Sequence, residues 1–378
     1  MTTRPVEIRA LAGARALPPL LLVLYHYHEG HGYQHFRLFD VFVAKGYLWV
    51  EFFFALSGFV LIHTYGGRAK ELWQRASYFA FLKARLSRLY PLHLATLLIM
   101  LWMIILLRAI ASAHGYVSIY DLPGYHPFAD VPSFIANLFL VQAWHLFPTL
   151  SWNGVSWFVS ALFFLMLIFP VFLWISERGT VWAIALIASG FAILYGLINT
   201  SGHGLDITSD FGLVRGFADF SIGVGLAMLY RTANQNGIAK ISEGSITLFQ
   251  LLVVGAFLLA VYDTGWSHTP RDLWVVPPLM ALIFALALDR GLIAKFFQTH
   301  ALHKLGEWSF AIYLGQTTWL QLLRYAEQRL YPNPPSEWLP AIHTLEPLAL
   351  LVLCTFWGWL LHVSVEEPAS RWLKPRRA

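Results

Sequence analysis

Residues 14–30 read ARALPPLLLVLYHYHEG, an apolar stretch with an arginine near its start and two histidines near its end. The residues between Arg15 and His26 carry no charge and suit the hydrocarbon core of a membrane better than water. Such a stretch predicts a helix that crosses a bilayer, because only helices and closed barrels satisfy their backbone polar groups in lipid. A chain built from many such stretches is an all-α, multi-pass membrane protein.

The composition of the whole chain favours the same fold class. Hydrophobic residues make up 57% of the 378 residues and charged residues only 12%, which is roughly half the charged fraction of soluble domains. The net charge of +5 does not indicate a nucleic-acid partner, because Lys and Arg cluster in short loops between apolar segments. The single cysteine, Cys354, excludes disulfides and cysteine-type metal sites. Arg15 interrupts the first apolar segment, so a retained anchor helix is expected instead of a cleaved signal peptide.

Eleven apolar segments are candidates for membrane spans, each of which needs about 20 residues. The fourth segment is short and lies between proline-bearing stretches, which makes it the weakest candidate. The segments are 11–28, 47–65, 89–111, 134–147, 154–176, 180–198, 213–230, 244–262, 273–288, 305–323 and 344–364.

The charges of the loops predict how the chain is oriented. Loop 66–88 holds six Lys and Arg residues, so it and the N-terminus are expected in the cytoplasm, with the histidine-rich loop 28–46 outside. Loops 112–133 and 199–212 contain Asp but neither Lys nor Arg, and are also expected outside. An even number of crossings must join them, so segment 134–147 is predicted to be a re-entrant or interfacial helix. The sequence thus predicts ten transmembrane helices, two cytoplasmic termini and one domain over 1–378 without an appended soluble domain.

Two ionisable residues are expected at similar depth near the outer face. His26 ends the first predicted helix, about 16 Å from Arg15 at 1.5 Å per residue, and Glu51 lies one turn into the second. A carboxylate beside an imidazole fixes its tautomer and raises its basicity, as a general base requires. The alternative is a buried Glu–His pair whose members only satisfy each other.

A second group of charges lies in KARLSRLYPLH, residues 83–93. Arg85 and Arg88 are three residues apart on a helix, so they share a face and could fork onto phosphate oxygens. Their alternative role is positive-inside anchoring, with both side chains reaching the lipid headgroups.

The other polar features have simpler explanations. His31 and His35 have helical spacing, but no further ligands accompany them and His28, so no metal site is predicted. Arg215 and Asp219 are four residues apart and are expected to neutralise each other. Two further positions are expected to allow close helix packing and not phosphate binding, namely Gly223 and Gly225.

Six motifs in order make the chain similar to acyltransferase family 3, nearly from end to end. Arg15 and His26 match the family's Arg/Lys and His of the first helix, which ten residues separate. The other five motifs are VEFFFALSGFVL (50–61), RLSRLYPLH (85–93), NGVSWFVSALFFLMLIFP (153–170), LGEWSFAIYLGQ (305–316) and VEEPASRWL (365–373).

The resemblance implies an integral membrane enzyme that moves an acyl group, usually acetyl, from cytoplasmic acyl-CoA to a hydroxyl of a cell-surface, exported or lipid-linked carbohydrate. It implies His26 as the base with Glu51 as its carboxylate partner, and Arg15, Arg85 and Arg88 as ligands of the acyl-CoA. The thioester arm is expected to thread between helices through a single passage to the outer face. The expected partners are acyl-CoA, the acceptor carbohydrate or glycolipid and the lipid bilayer, in the inner membrane of a bacterium, with a homo-oligomer left open.

Three positions depart from the family pattern. Leu162 and Met166 replace a Glu and a Tyr that many relatives carry, which suggests a different acceptor. Gln316 stands where many relatives have a His, and it cannot take a proton. Gln316 and Trp157 are expected to serve either the acceptor or the structure.

Two other functions stay open at this point. A transporter of a polar lipid or saccharide could use the same polar cavity without chemistry, although it would not need a phosphate clamp on one side only. Acyl transfer to a small molecule that is not a carbohydrate is equally compatible with the sequence.

Overall fold

The apolar segments fold into helices, and the described residues contain no β-strand. In the computed structural model the described residues are 6–31, 37–121, 129–266, 268–330 and 338–373. The α-helices are α1 (Arg9–Ala14), α2 (Leu17–His31), α3 (Arg37–Ala44), α4 (Trp49–Tyr65), α5 (Ala69–Leu72), α6 (Arg75–Ala113), α7 (Val131–Leu138), α8 (Trp157–Ile175), α9 (Thr180–Ser201), α10 (Gly212–Gln235), α11 (Glu243–Thr264), α12 (Val276–Ala287), α13 (Leu292–Phe297), α14 (His300–Leu330), α15 (Leu339–Leu361) and α16 (Glu367–Leu373).

Within the described residues, eight helical stretches are long and apolar enough to cross a membrane. The all-α, multi-pass class is therefore confirmed, while the count of ten and the location of the termini stay predictions. The other two predicted crossings correspond to α2, which has 15 residues, and to α14, whose 31 residues include many polar ones. The eight stretches are Gly46–Tyr65, Arg75–Ala113, Gly154–Ile175, Thr180–Ser201, Gly212–Gln235, Glu243–Thr264, Pro270–Ala287 and Ile342–Leu373.

The first apolar segment is not one continuous helix. It breaks between α1 and α2, and the turn closes with a hydrogen bond of 3.0 Å from Ala16 N–H to Gly13 O. Pro18 and Pro19 explain the break, because neither has an N–H to continue the helical hydrogen bonds of the preceding turn. The prediction of a single helix over 11–28 is therefore wrong, and Arg15 lies at the break.

Helix α6 begins earlier than the charges of the loop suggested. The predicted loop 66–88 is helical from Arg75 onward, so Arg85 and Arg88 lie inside α6 and not at its start. The Ala, Leu, Lys and Arg residues of this stretch all favour helix. Positive charge marks the edge of a membrane span, but it does not end a helix.

The fourth apolar segment does not form a spanning helix. Only α7 is helical there, with 8 residues or about 12 Å, and irregular backbone follows. Leu140 and His145 adopt positive φ angles of 58° and 59°, which a continuing helix would exclude. The short helix agrees with the prediction that this segment does not cross the membrane as a helix.

Helix α10 packs closely against α4 and α9 because glycines lie at the contacts. A Cβ atom on Gly223 would lie 1.9 Å from Ala55 O, and one on Gly58 would lie 2.4 Å from Phe220 O. Gly225 faces α9 in the same way, 2.7 Å from Ala183 O. The predicted packing role of Gly223 and Gly225 is thereby confirmed.

A similar contact brings the break at Arg15 next to α14. A Cβ atom on Gly306 of α14 would lie 2.1 Å from Ala12 O, and one on Gly13 would lie 1.8 Å from Phe297 O. These two glycines let α1 approach α13 and α14 at backbone distance. Arg15 consequently faces the space between α14, α6 and α4.

Candidate active site

Two cavities lie beside α14, and the first collects the three predicted ligands of acyl-CoA. This guanidinium cavity has a volume of about 390 Å³, and Arg15, Arg85 and Arg88 line it together. Arg15 comes from the break before α2 and the other two from one face of α6. The prediction that these guanidinium groups converge is confirmed.

None of these three arginines forms an ion pair with a carboxylate within the described part of the chain. Arg85 donates from Nη2 to Tyr65 Oη at 3.3 Å, and its buried Nε atom has no hydrogen-bond partner. A buried donor without a partner costs free energy unless a ligand satisfies it. The cavity therefore offers donors to an anion.

Carboxylates also line the guanidinium cavity, and each lies beside a basic side chain other than the three arginines. Glu307 accepts from Lys304 Nζ at 2.8 Å, and Glu366 Oε2 lies 2.9 Å from His362 Nδ1. Glu7 lies 3.9 Å from His303 Nε2. None of these three carboxylates forms an ion pair with Arg15, Arg85 or Arg88 among the described residues.

The deeper wall of the guanidinium cavity is apolar. Leu162 and Met166, the two departures from the family pattern, both line it, together with Phe53, Phe158 and Phe310. Residues 158, 162 and 166 recur at four-residue spacing on α8 and so form one stripe. Leu162 therefore presents hydrocarbon to the cavity at the position where many relatives carry a carboxylate.

The second cavity contains the predicted base. This histidine cavity has a volume of about 270 Å³, and His26, Glu29, Trp157 and Arg324 are among the residues that line it. His26 Nδ1 lies 2.9 Å from Glu29 Oε2, one helical turn further along α2. With Nδ1–H donating to this carboxylate, Nε2 is left with a lone pair that can accept a proton. This tautomer follows from the partner that each nitrogen meets.

The predicted pairing of Glu51 with His26 is wrong. Both oxygens of Glu51 accept from Arg215, at 2.9 Å from Nε and 2.8 Å from Nη2, and both side chains are fully buried. Arg215 also donates to the backbone oxygens of Tyr47 and Ile207. Glu51 thus holds α4 to α10, and Glu29 takes the place beside the imidazole.

The predicted neutral pair of Arg215 and Asp219 is wrong as well. Neither side-chain oxygen of the buried Asp219 has a hydrogen-bond partner among the described residues. Helical spacing permitted the pair, but the close packing of α10 on α4 brings Glu51 nearer to the guanidinium group. Spacing along one helix cannot show what a neighbouring helix offers.

Trp157 and Gln316 occupy different surroundings. Trp157 lines the histidine cavity, and its ring centroid lies 5.7 Å from the guanidinium carbon of Arg215. Gln316 is fully buried and donates from Nε2 to Tyr313 O at 2.9 Å, within its own helix. It is not among the residues found to line either cavity.

A polar network extends from Glu29 to the loops beside the histidine cavity. Tyr25 Oη lies 3.1 Å from Glu29 Oε1 and 3.0 Å from Asp206 Oδ2, and His268 Nε2 lies 3.5 Å from the same Asp206 oxygen. Burial raises the pKa of Asp206, but the hydrogen bond from His268 and the charge of Arg215 outweigh burial and leave this pKa below its ordinary value. The hydrogen bond to Asp206 raises the pKa of His268.

Three members of this site were missed from the sequence. Glu29 could have been found, since the spacing of three residues from His26 on a helix is a signal for contact. Asp206 and His268 lie in loops far apart in the chain, and nothing in their local sequence places them together.

The sequence predicted that the histidines of loop 28–46 do not form a metal site. The described residues contain no group of three or more His, Cys, Asp or Glu side chains that could hold a metal ion. His35 and the side chain of His31 lie outside the described residues. The absence of a metal stays a prediction.

The comparisons with known proteins show the family to which the chain belongs. Residues 8–363 match the family described as the acyltransferase domain, and the chain belongs to this family, acyltransferase family 3. It is a membrane acyltransferase.

Two relatives show how far the similarity extends. "Acyltransferase MdmB" of Streptomyces mycarofaciens is 27% identical in an alignment that covers 100% of this chain and 95% of the relative. "Protein 2 in picA locus" of Rhizobium radiobacter is 34% identical over 165 residues, which cover 40% of this chain and 81% of the relative. No solved structure matches the chain.

Proposed function

We propose that the protein transfers an acyl group, with acetyl as the simplest case, from acyl-CoA to a hydroxyl of a cell-surface, exported or lipid-linked carbohydrate. The observation that carries this proposal is the set of three guanidinium groups without carboxylate partners in one cavity, Arg15, Arg85 and Arg88. Phosphate oxygens are the ligands that such forked donors prefer. The phosphates of CoA are therefore the proposed occupants.

We assign the attack of the acceptor hydroxyl on the thioester to the histidine cavity. An acceptor hydroxyl there loses its proton to His26 Nε2 while its oxygen attacks the thioester carbonyl carbon. The carbon–sulfur bond then breaks, and the CoA thiolate leaves and takes the proton back from the imidazolium. The products are the ester and free CoA. Glu29 stabilises the imidazolium through its bond to Nδ1.

The orientation follows from where the two substrates are found. We place the guanidinium cavity toward the cytoplasm, where acyl-CoA is made, and the histidine cavity toward the outer face, where the carbohydrate is. Ten crossings with both termini in the cytoplasm of a bacterial cell, in its inner membrane, satisfy this arrangement. Family membership supports acyl transfer over transport, and acceptors other than carbohydrates are an outcome that the experiment separates.

The test uses purified protein, labelled acetyl-CoA and a series of hydroxyl acceptors. We expect Arg88→Ala to weaken CoA binding by about tenfold, the cost of one charge-assisted contact. We expect His26→Ala to keep CoA binding but to lower transfer by a factor on the order of 10² or more. Arg75→Ala, also in α6 but not among the residues lining either cavity, is the matched control. Equal binding and equal transfer in all four proteins would refute the proposal.

The acceptor is identified separately. Mass spectrometry of surface glycans from cells with and without the protein should show ester groups that depend on His26. Esters found only on small secreted molecules would replace the carbohydrate with another acceptor and leave acyl-CoA as the donor.

A further inference from the structure

One face of α14 lines both cavities. His303, Gly306 and Phe310 line the guanidinium cavity, whereas Thr317 and Arg324 line the histidine cavity. With Tyr313 and Leu320, which also line these cavities, the positions recur every three to four residues, so they lie on the same face of the helix. From residue 303 to residue 324 the face is about 31 Å long at 1.5 Å per residue, close to the ~30 Å thickness of a bilayer's hydrocarbon core.

The two cavities meet at Tyr313, in the middle of this face. Among the described residues, Tyr313 alone lines both cavities. Its side chain is 3% exposed, and Oη donates to Val155 O at 2.7 Å. The single passage predicted from the sequence is thus replaced by two separate cavities, and Tyr313 lies in the wall of both.

Two phenylalanines complete the junction on the side of the guanidinium cavity. The Tyr313 ring centroid lies 5.7 Å from that of Phe158 and 6.1 Å from that of Phe53, and the two phenylalanine rings are 5.8 Å apart. The three rings thus form one aromatic cluster with large apolar surfaces at this position. A thioester that stays on the guanidinium side is separated by it from His26.

We propose that Tyr313 controls the passage of the acyl thioester from the guanidinium cavity to His26. This inference rests on the proposed function, because it assigns the residue that joins the donor half of that site to the acceptor half. With the Tyr313 ring in place, water in the histidine cavity does not reach the donor. Rotation of the ring breaks a single hydrogen bond to a backbone oxygen and connects the cavities for the acyl group and its pantetheine arm.

The first test measures hydrolysis of acetyl-CoA by the purified protein in the absence of acceptor. Tyr313→Phe keeps the ring and loses the bond to Val155 O, so it should raise acceptor-free CoA release by roughly fivefold. Tyr313→Ala should raise it further, because the ring itself is gone. Tyr325→Ala is the matched control, since this α14 tyrosine is not among the residues lining either cavity and bonds to Tyr116 Oη.

The second test detects the connection without any turnover. Ser57 lines the guanidinium cavity, so Ser57→Cys in a Cys354→Ala background reports access from the histidine side. A membrane-impermeant maleimide added outside intact cells should label this cysteine several-fold faster when Tyr313→Ala is also present. The Tyr325→Ala protein should label at the background rate.

The two tests separate this inference from the proposed function. Wild-type protein that transfers acetyl groups, with hydrolysis and labelling unchanged by both Tyr313 substitutions, would overturn the role of Tyr313 alone. Wild-type protein that neither binds nor uses acyl-CoA would overturn the proposed function, and the labelling experiment would still decide whether Tyr313 separates the cavities.

Discussion

At the scale of single residues, the carboxylate beside His26 is that of Glu29, so the proposed reaction uses Glu29 and not Glu51. Glu29 contacts the imidazole at 2.9 Å, whereas Glu51 is fully buried against Arg215. We therefore expect substitution of Glu29 to lower the reaction rate and substitution of Glu51 to lower the stability of the fold.

Glu29→Gln should slow acyl transfer by a factor on the order of 10², because the amide no longer stabilises the imidazolium. Binding of CoA should not change, since Glu29 lies in the other cavity. Initial rates and equilibrium CoA binding measure the two effects. Glu71→Gln, an exposed glutamate paired with Arg68, is the control. A Glu29→Gln protein with wild-type rates would exclude this role.

Glu51→Gln should reduce the amount of folded protein, because it leaves the guanidinium of Arg215 without its carboxylate. Removing one partner of a buried ion pair costs about 3–5 kcal/mol. Thermal unfolding in detergent measures the loss, and the double variant Glu51→Gln/Arg215→Gln should recover part of it. If Glu51→Gln melted like the wild type yet lost all transfer, Glu51 would belong to the chemistry after all.

The pair of Asp206 and His268 predicts a pH dependence. The raised pKa of His268 means that its contribution is present at low pH and is lost as the pH rises through the folded-state pKa. The lowered pKa of Asp206 means that its contribution is present above the unfolded-state pKa and is lost as the pH falls through the folded-state pKa. The melting temperatures of wild type and His268→Gln should therefore differ most between about pH 4 and 6.5. A difference independent of pH would contradict the ion pair.

At the scale of helices, glycines set how closely α10 approaches its neighbours. Gly223→Ala should destabilise the protein by about 1–3 kcal/mol, because the new methyl group meets Ala55 O. Gly255→Ala on α11 is the matched control, since nothing lies within 4 Å of its Cβ position. Alanine favours helix over glycine by up to about 1 kcal/mol, so the control should melt at the same or a higher temperature. Equal melting of the two variants would show that the α4–α10 contact is looser than described.

The helices also show what the sequence could and could not predict. The family resemblance implied a common role for Arg15, Arg85 and Arg88, and the structure places all three at one cavity. Position along the chain predicted the depth of Glu51 but not its direction around the helix axis, which depends on the neighbour that packs there. Pro18 and Pro19 indicate the break in the first segment, but the long apolar run around them favoured the prediction of a single helix.

At the scale of the whole molecule, the proposed orientation makes a prediction about sidedness. Lys70 lies in the segment expected inside and His203 in a loop expected outside, and both are exposed. In a Cys354→Ala background, an impermeant maleimide added to intact cells should label His203→Cys and not Lys70→Cys. Permeabilised cells provide the control, in which both cysteines should react. The reverse pattern in intact cells would invert the molecule and with it the proposed sides of donor and acceptor.

Helices α4, α8 and α14 line both cavities, but the remaining walls differ. The guanidinium cavity is completed by α6, whereas the histidine cavity is completed by α2 and by loop residues such as Leu150, Gly154 and Thr208. Under the proposed function, exchange of these loop segments between relatives should change the range of acceptors and leave the arginines of α6 untouched. New products would then require changes only in the histidine cavity.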